Sequence, residues 1–154
     1  DNSTLASKSI GIFSGWVEPQ TLGSTGTYSV FTNYLEHAIG SVTNTVYDVP
    51  TDTAGSVSVN GSAVAVPLSP GQNGSLTFSG TNGQLITVRM TGNTFGQVTI
   101  KLIKPDASVL ATKTSSSTNF NMNQQTLPST GTYTVAVDPN QWNTGTINVA
   151  VTNP

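Results

Sequence analysis

The chain has a single histidine, His37, directly after Glu36, and serines occur throughout the sequence, so a Ser/His/acid set is the first chemistry to weigh. Nucleophilic catalysis of that kind needs a serine held on a strained turn, and nothing resembling a nucleophile elbow occurs. Glu18 and Glu36 are the only glutamates, which leaves little for the paired carboxylates of a glycosidase. Asp48, Asp52, Asp106 and Asp138 are the aspartates other than Asp1. Calcium takes about six to eight oxygens, usually with several carboxylates at close spacing, and no DxDxDG-like run is present. Asp106, in KPDAS, reads as a turn residue that bonds its own backbone. These residues predict no catalytic centre, no cofactor and no metal.

Aromatic side chains offer binding rather than catalysis. Trp142 falls in DPNQWNTG, a stretch rich in turn formers, and Tyr34 and His37 fall in a corresponding earlier stretch. A loop tryptophan among Asn and Gln suits a sugar-stacking platform, and it equally suits a seal between modules or subunits. Trp142, Tyr34 and His37 are therefore the interface or ligand candidates, with the interface preferred. Tyr28 and Tyr133 belong to a different pattern. LGSTGTYSV, residues 22 to 30, returns almost unchanged as LPSTGTYTV, residues 127 to 135. Each phrase is a turn followed by a strand, with the tyrosine just inside the strand. A tyrosine so placed packs its ring in a core and returns its hydroxyl to the turn, the tyrosine corner of Greek-key sandwiches. Tyr28, Gly26, Tyr133 and Gly131 are assigned to two such corners.

The phrase recurs because a larger unit recurs. Laying residue 1 on residue 106 without gaps gives 49 pairs, residues 1–49 on 106–154, of which 16 are identical. Self-similarity at a fixed period marks a repeat architecture. One full repeat of about 105 residues then spans 50–154, and residues 1–49 correspond to the C-terminal half of a preceding repeat.

Within 50–154 apolar residues alternate with polar ones over short runs broken by Gly, Pro and Asn, the pattern of half-buried strands. The runs include Leu76–Phe78, Leu85–Met90, Val98–Ile103, Val109–Ala111, Phe120–Met122, Thr132–Val137 and Thr146–Val151. Val57–Val66 reads as a hairpin turning at Asn60-Gly61, where a tight turn needs positive φ at both central positions. No stretch has helical periodicity. The fold class expected is all-β, an antiparallel β-sandwich of jelly-roll or Greek-key type with about seven to nine strands.

Ser, Thr, Asn and Gly make up nearly half the chain, whereas only 8% of residues are charged and the net charge is −2. The five Lys and Arg are scattered, so there is no basic stripe for phosphates or anionic lipid, and neither nucleic acid nor membrane insertion is expected. Cysteine is absent, which removes disulfides and thiolate chemistry. This neutral hydroxyl-rich composition suits an extracellular or cell-surface protein.

Residues 78–88 (FSGTNGQLITV), the 98–103 run with Lys104-Pro-Asp106, and Leu127–Val135 together resemble the bacterial pre-peptidase C-terminal domain, found in tandem in large secreted and surface proteins. The resemblance covers about residues 72–152 and implies a jelly-roll-like, non-catalytic sandwich. Members that bind calcium tend to carry acidic residues in their loops, where this chain has Asn, Thr and Gly.

Half a sandwich has open strand edges and an uncovered apolar face. Residues 1–49 are expected to need completion, by neighbouring copies of the same module or chain. The functional expectation is a structural or adhesive repeat that assembles into a surface array or filament. The alternative is an accessory carbohydrate-binding module of a secreted hydrolase, with polysaccharide as partner.

Overall fold

The computed structural model describes residues 3–10, 14–33 and 39–153, which divide into two units, Asp1–Asp48 and Val49–Pro154. The described residues of the second unit hold ten strands: β1 (Thr53–Ser56), β2 (Val64–Leu68), β3 (Gly74–Gly80), β4 (Leu85–Thr91), β5 (Val98–Ile103), β6 (Val109–Ser115), β7 (Phe120–Asn121), β8 (Gln125–Thr126), β9 (Gly131–Pro139) and β10 (Gly145–Thr152). There is no helix among the described residues, so none is long and apolar enough to cross a membrane.

Two sheets form, one in the order β1-β3-β9-β5-β6 and the other β2-β10-β4-β7, with β8 also on β4. Alternation decides which side chains go in. In β5, Val98, Ile100 and Leu102 are buried while Thr99, Lys101 and Ile103 are half-buried on the other face; in β10 the same holds for Ile147, Val149 and Val151 against Asn148 and Ala150. The inward sets of both sheets make one core cluster. The sheets approach closely at Gly74 of β3, where a Cβ would stand 2.6 Å from Val66 of β2 in the opposite sheet. Every buried side-chain nitrogen and oxygen among the described residues is hydrogen-bonded, as a dry core requires.

The sheets are not wholly antiparallel. β1 pairs with β3 in parallel, Thr53 opposite Gly74 through Ser56 opposite Thr77. The expected hairpin over 57–66 is also absent, and the two findings have one cause. Beyond β1 the chain continues along β3, with the Val57 N–H donating to the Thr77 carbonyl at 2.9 Å, and then bridges β10 in parallel at Val59 and Val151. The turn that follows has positive φ only at Asn60 (59°), closes through Gly61 N–H to Ser58 O at 3.0 Å, and delivers the chain to β2 in the other sheet. Asn60 is tied to the end of β10 as well, its Oδ1 accepting from the Asn153 N–H at 2.8 Å. The change of sheet thus falls between Val57 and Val59, and Asn-Gly reverses the chain along β10, from the parallel bridge at Val59 to antiparallel β2, with turn chemistry that it shares with a hairpin.

The first unit is different. Its described residues contain no strand, and nearly all are exposed. Among the described residues, strands form only within Thr53–Thr152.

Candidate functional site

At the start of β9 the sequence Leu127 to Val135 builds a close polar-apolar junction. The Tyr133 ring is fully buried and stacks on Phe78, its partner in the β3–β9 register, with centroids 5.6 Å apart and planes at 22°. Its hydroxyl donates to the Ser129 carbonyl at 2.8 Å and accepts from the Ser129 N–H at 3.2 Å, closing the turn onto the strand. Gly80, opposite Gly131 in the register, makes room: a Cβ there would fall 2.3 Å from Leu127 and 3.1 Å from the Tyr133 ring. A Cβ on Gly131 would meet the Pro105 ring at 2.7 Å.

The earlier copy of the phrase keeps the local bond and loses the rest. The Tyr28 hydroxyl donates to the Ser24 carbonyl at 2.8 Å, with the same four-residue spacing. Its ring, however, is exposed, as are Leu22 and Val30, and nothing lies within 4 Å of where a Cβ on Gly26 would be. The correction to the pair of corners is physical: a hydroxyl-to-backbone bond needs only the turn, whereas ring burial needs the partner strands. Leu22 to Gly26 and Tyr28 line an open surface depression.

Trp142 lies in the turn between β9 and β10, partly exposed beside Asn140 and Gln141. That turn rests on residues 92–97: the Asn140 N–H donates to the Gln97 carbonyl at 3.0 Å, and the Thr94 hydroxyl accepts from the Thr146 N–H at 2.8 Å. Beneath it is Asn93, a buried polar residue that the sequence does not distinguish from the other loop asparagines. Its Nδ2 donates to the Gly96 carbonyl at 2.8 Å and the Ser117 carbonyl at 3.2 Å, and its Oδ1 accepts from the Phe95 N–H at 3.1 Å. Tyr34 and His37 lie outside the described residues.

The carboxylates that could hold a metal are spread over separate turns and strands. Asp52 accepts from the Asn73 N–H at 2.9 Å, and Asp138 sits 3.8 Å from Lys101. No group of three metal-ligating side chains occurs among the described residues. Asp106 accepts from both the N–H and the hydroxyl of Ser108, at 2.9 and 2.6 Å, and faces the Lys104 ammonium at 3.1 Å. The Ser108 bonds, then Lys104, pull its carboxyl from 3.8 down to about 2. A depressed carboxyl stabilises the fold fully above its unfolded-chain value and loses that contribution as pH falls through about 2. Carboxyl-carbon NMR should show Asp106 titrating with a midpoint near 2, and Ser108→Ala should raise that midpoint.

No family model matches the chain, and no curated protein matches it. Among solved structures, the pre-peptidase C-terminal domain of a collagenase from Bacillus anthracis matches 68% of this chain and 99% of that domain, with a TM-score of 0.50 and 14% sequence identity. The sandwich has the pre-peptidase C-terminal domain fold. Two periplasmic inhibitors of g-type lysozyme also match. PliG of Aeromonas hydrophila is 16% identical over 65% of this chain and 98% of its own, with a TM-score of 0.47. PliG of Salmonella Typhimurium is 18% identical over 64% and 98%, with a TM-score of 0.46. On this pre-peptidase C-terminal-like sandwich, Tyr133 marks a structural junction and Trp142 the exposed aromatic at one loop end.

Proposed function

We propose that the chain is a non-catalytic structural or adhesive module of an extracellular protein, joined to neighbouring copies by strand complementation in a surface array or filament. The observation that carries this reading is the 105-residue self-similarity, set on a fold of the pre-peptidase C-terminal type, with one copy of the shared phrase buried and the other exposed. The neutral, hydroxyl-rich surface supports an extracellular setting. Light scattering with negative-stain imaging across a concentration series tests assembly. Concentration-dependent fibres are expected, and a 15.9 kDa monomer at every concentration would overturn it.

Carbohydrate binding at Trp142 is the second reading, favoured by an exposed indole flanked by Asn140, Gln141 and Asn143. It requires polysaccharide retention that Trp142→Ala abolishes. In the array reading that variant weakens contacts between modules only.

A further inference from the structure

The second unit shows what the first unit is shaped to meet. Residues 106–153 bury eight apolar side chains, Pro139 apart, against the half of the sandwich that contains β1 to β5. Subtracting 105 places six of their eight counterparts in the first unit on apolar residues, and all six are exposed. Leu22, Tyr28, Val30 and Val46 are 56, 46, 64 and 80% accessible, where Leu127, Tyr133, Val135 and Val151 are each 0%. Val17 and Val42 stand in the same relation to Met122 and Ile147. Exposed apolar residues scattered singly need no explanation, but a set that reproduces the inward face of a known sheet pair does.

The two exceptions fit as well. The counterparts of buried Val137 and Val149 are Thr32 and Asn44, and these bond to each other, Asn44 Nδ2 donating to Thr32 Oγ1 at 3.1 Å. Two polar groups placed at core positions thus carry a mutual hydrogen bond before burial, which is the condition for polar groups to be tolerated there.

We infer that residues 14–33 and 39–48 belong to the C-terminal half of a sandwich whose acceptor is a second copy of the 50–105 half, in the register that 106–153 uses. The occupant of the exposed face is then defined residue by residue. Tyr133 opposes Phe78 and Val135 opposes Leu76 on β3, while Val151 opposes Val88 on β4. In the completed first sandwich Tyr28 therefore faces the second copy's equivalent of Phe78, Val30 that of Leu76, and Val46 that of Val88. Ser29 and Phe31, the counterparts of the outward Thr134 and Ala136, stay on the solvent side. Any general apolar partner would cover the segment without regard to alternation; a β1–β5 acceptor covers every second residue.

The inference rests on the array reading and is tested on the whole chain extended by one copy of residues 50–105 fused directly before residue 1, the junction that the 105-residue register specifies. Hydrogen exchange with peptide-resolved mass spectrometry should slow over residues 26–33 by about 100-fold or more against the unextended chain, with residues 131–139 as the internal standard. The chain has no cysteine, so Val30→Cys should lose maleimide reactivity on extension while Ser29→Cys keeps it. Unslowed exchange in 26–33 with a protected standard would overturn the inference. Equal shielding of both cysteines would do so too, as would extension that exposes the standard, because an acceptor half adds a sandwich without disrupting one. The two readings fail separately. Fibres of the unextended chain whose segment 26–33 exchanges freely keep assembly and sink this inference, whereas a protected, alternating segment in a chain that never assembles does the reverse.

Discussion

Tyr133→Ala should lower the unfolding free energy of the second unit by about 4 kcal/mol, while Tyr28→Ala changes stability by less than about 0.5 kcal/mol. The sequence neighbourhoods of the two residues are nearly identical, so the whole difference lies in what surrounds them. At Tyr133 the truncation empties a fully buried site, removes the stack on Phe78 and leaves the Ser129 carbonyl and N–H without their partner. Against a typical domain stability of about 5–15 kcal/mol, that is a large fraction. Tyr133→Phe separates the parts: it keeps the ring and removes only the hydroxyl, at about 1–2 kcal/mol. At Tyr28 the ring is already in water, and the bond to Ser24 closes an exposed turn. Urea unfolding followed by near-ultraviolet dichroism measures both. A neutral Tyr133→Phe would sink the corner as a stabilising device, and a Tyr28→Ala cost equal to that of Tyr133→Ala would mean the first unit buries its phrase in solution.

That contrast also marks the boundary of what could be read from residues alone. Alternation at Leu85–Met90, Val98–Ile103, Thr132–Val137 and Thr146–Val151 locates strands and assigns each residue a face, because a pleat has period two whatever strand lies beside it. Pairing is another matter. β1 is Thr-Ala-Gly-Ser, with no apolar alternation and mostly exposed side chains, so its place in the sheet comes from backbone bonds to β3 and leaves no hydrophobic trace. The Asn60-Gly61 turn carries a φ preference but does not say which strands it joins, and the chain uses it to reverse along β10 after it has already changed sheets. Burial is the least local property of all: Leu22, Tyr28 and Val30 have the composition of a core strand, and the strands that would make them one are not beside them. Tyr133 was legible as a corner candidate because its partner is four residues away. Asn93 was not, since its partners include the Ser117 carbonyl, 24 residues distant.

Asn93→Leu should cost about 3 kcal/mol despite replacing a polar residue by an apolar one of similar size. Asn93 is buried where three backbone groups converge, with Phe95 N–H, Gly96 O and Ser117 O all satisfied by one amide. Leucine leaves all three unpaired, and an unpaired buried group bears its full desolvation cost. The neighbouring turn is packed closely against this loop. Gly145, at φ 152°, lies so close to Thr94 that even a Cβ would sit 3.1 Å from the Thr94 carbonyl carbon. Asn93→Asp sharpens the argument: it retains an acceptor for the Phe95 N–H but sets a carboxylate against two carbonyl oxygens, so its defect should ease as pH falls and the carboxyl takes up a proton. The effect should reach the Trp142 turn, which hangs from the same loop through Asn140 to Gln97 and Thr94 to Thr146. Unfolding in urea gives the stability loss. Trp142 emission in a Trp16→Phe background, which leaves one indole in the chain, gives the displacement. A stability loss without an emission change would mean that β9 and β10 alone hold the exposed aromatic in place. A coupled change would make Asn93 the residue that positions the module's most exposed indole for whatever neighbour it meets.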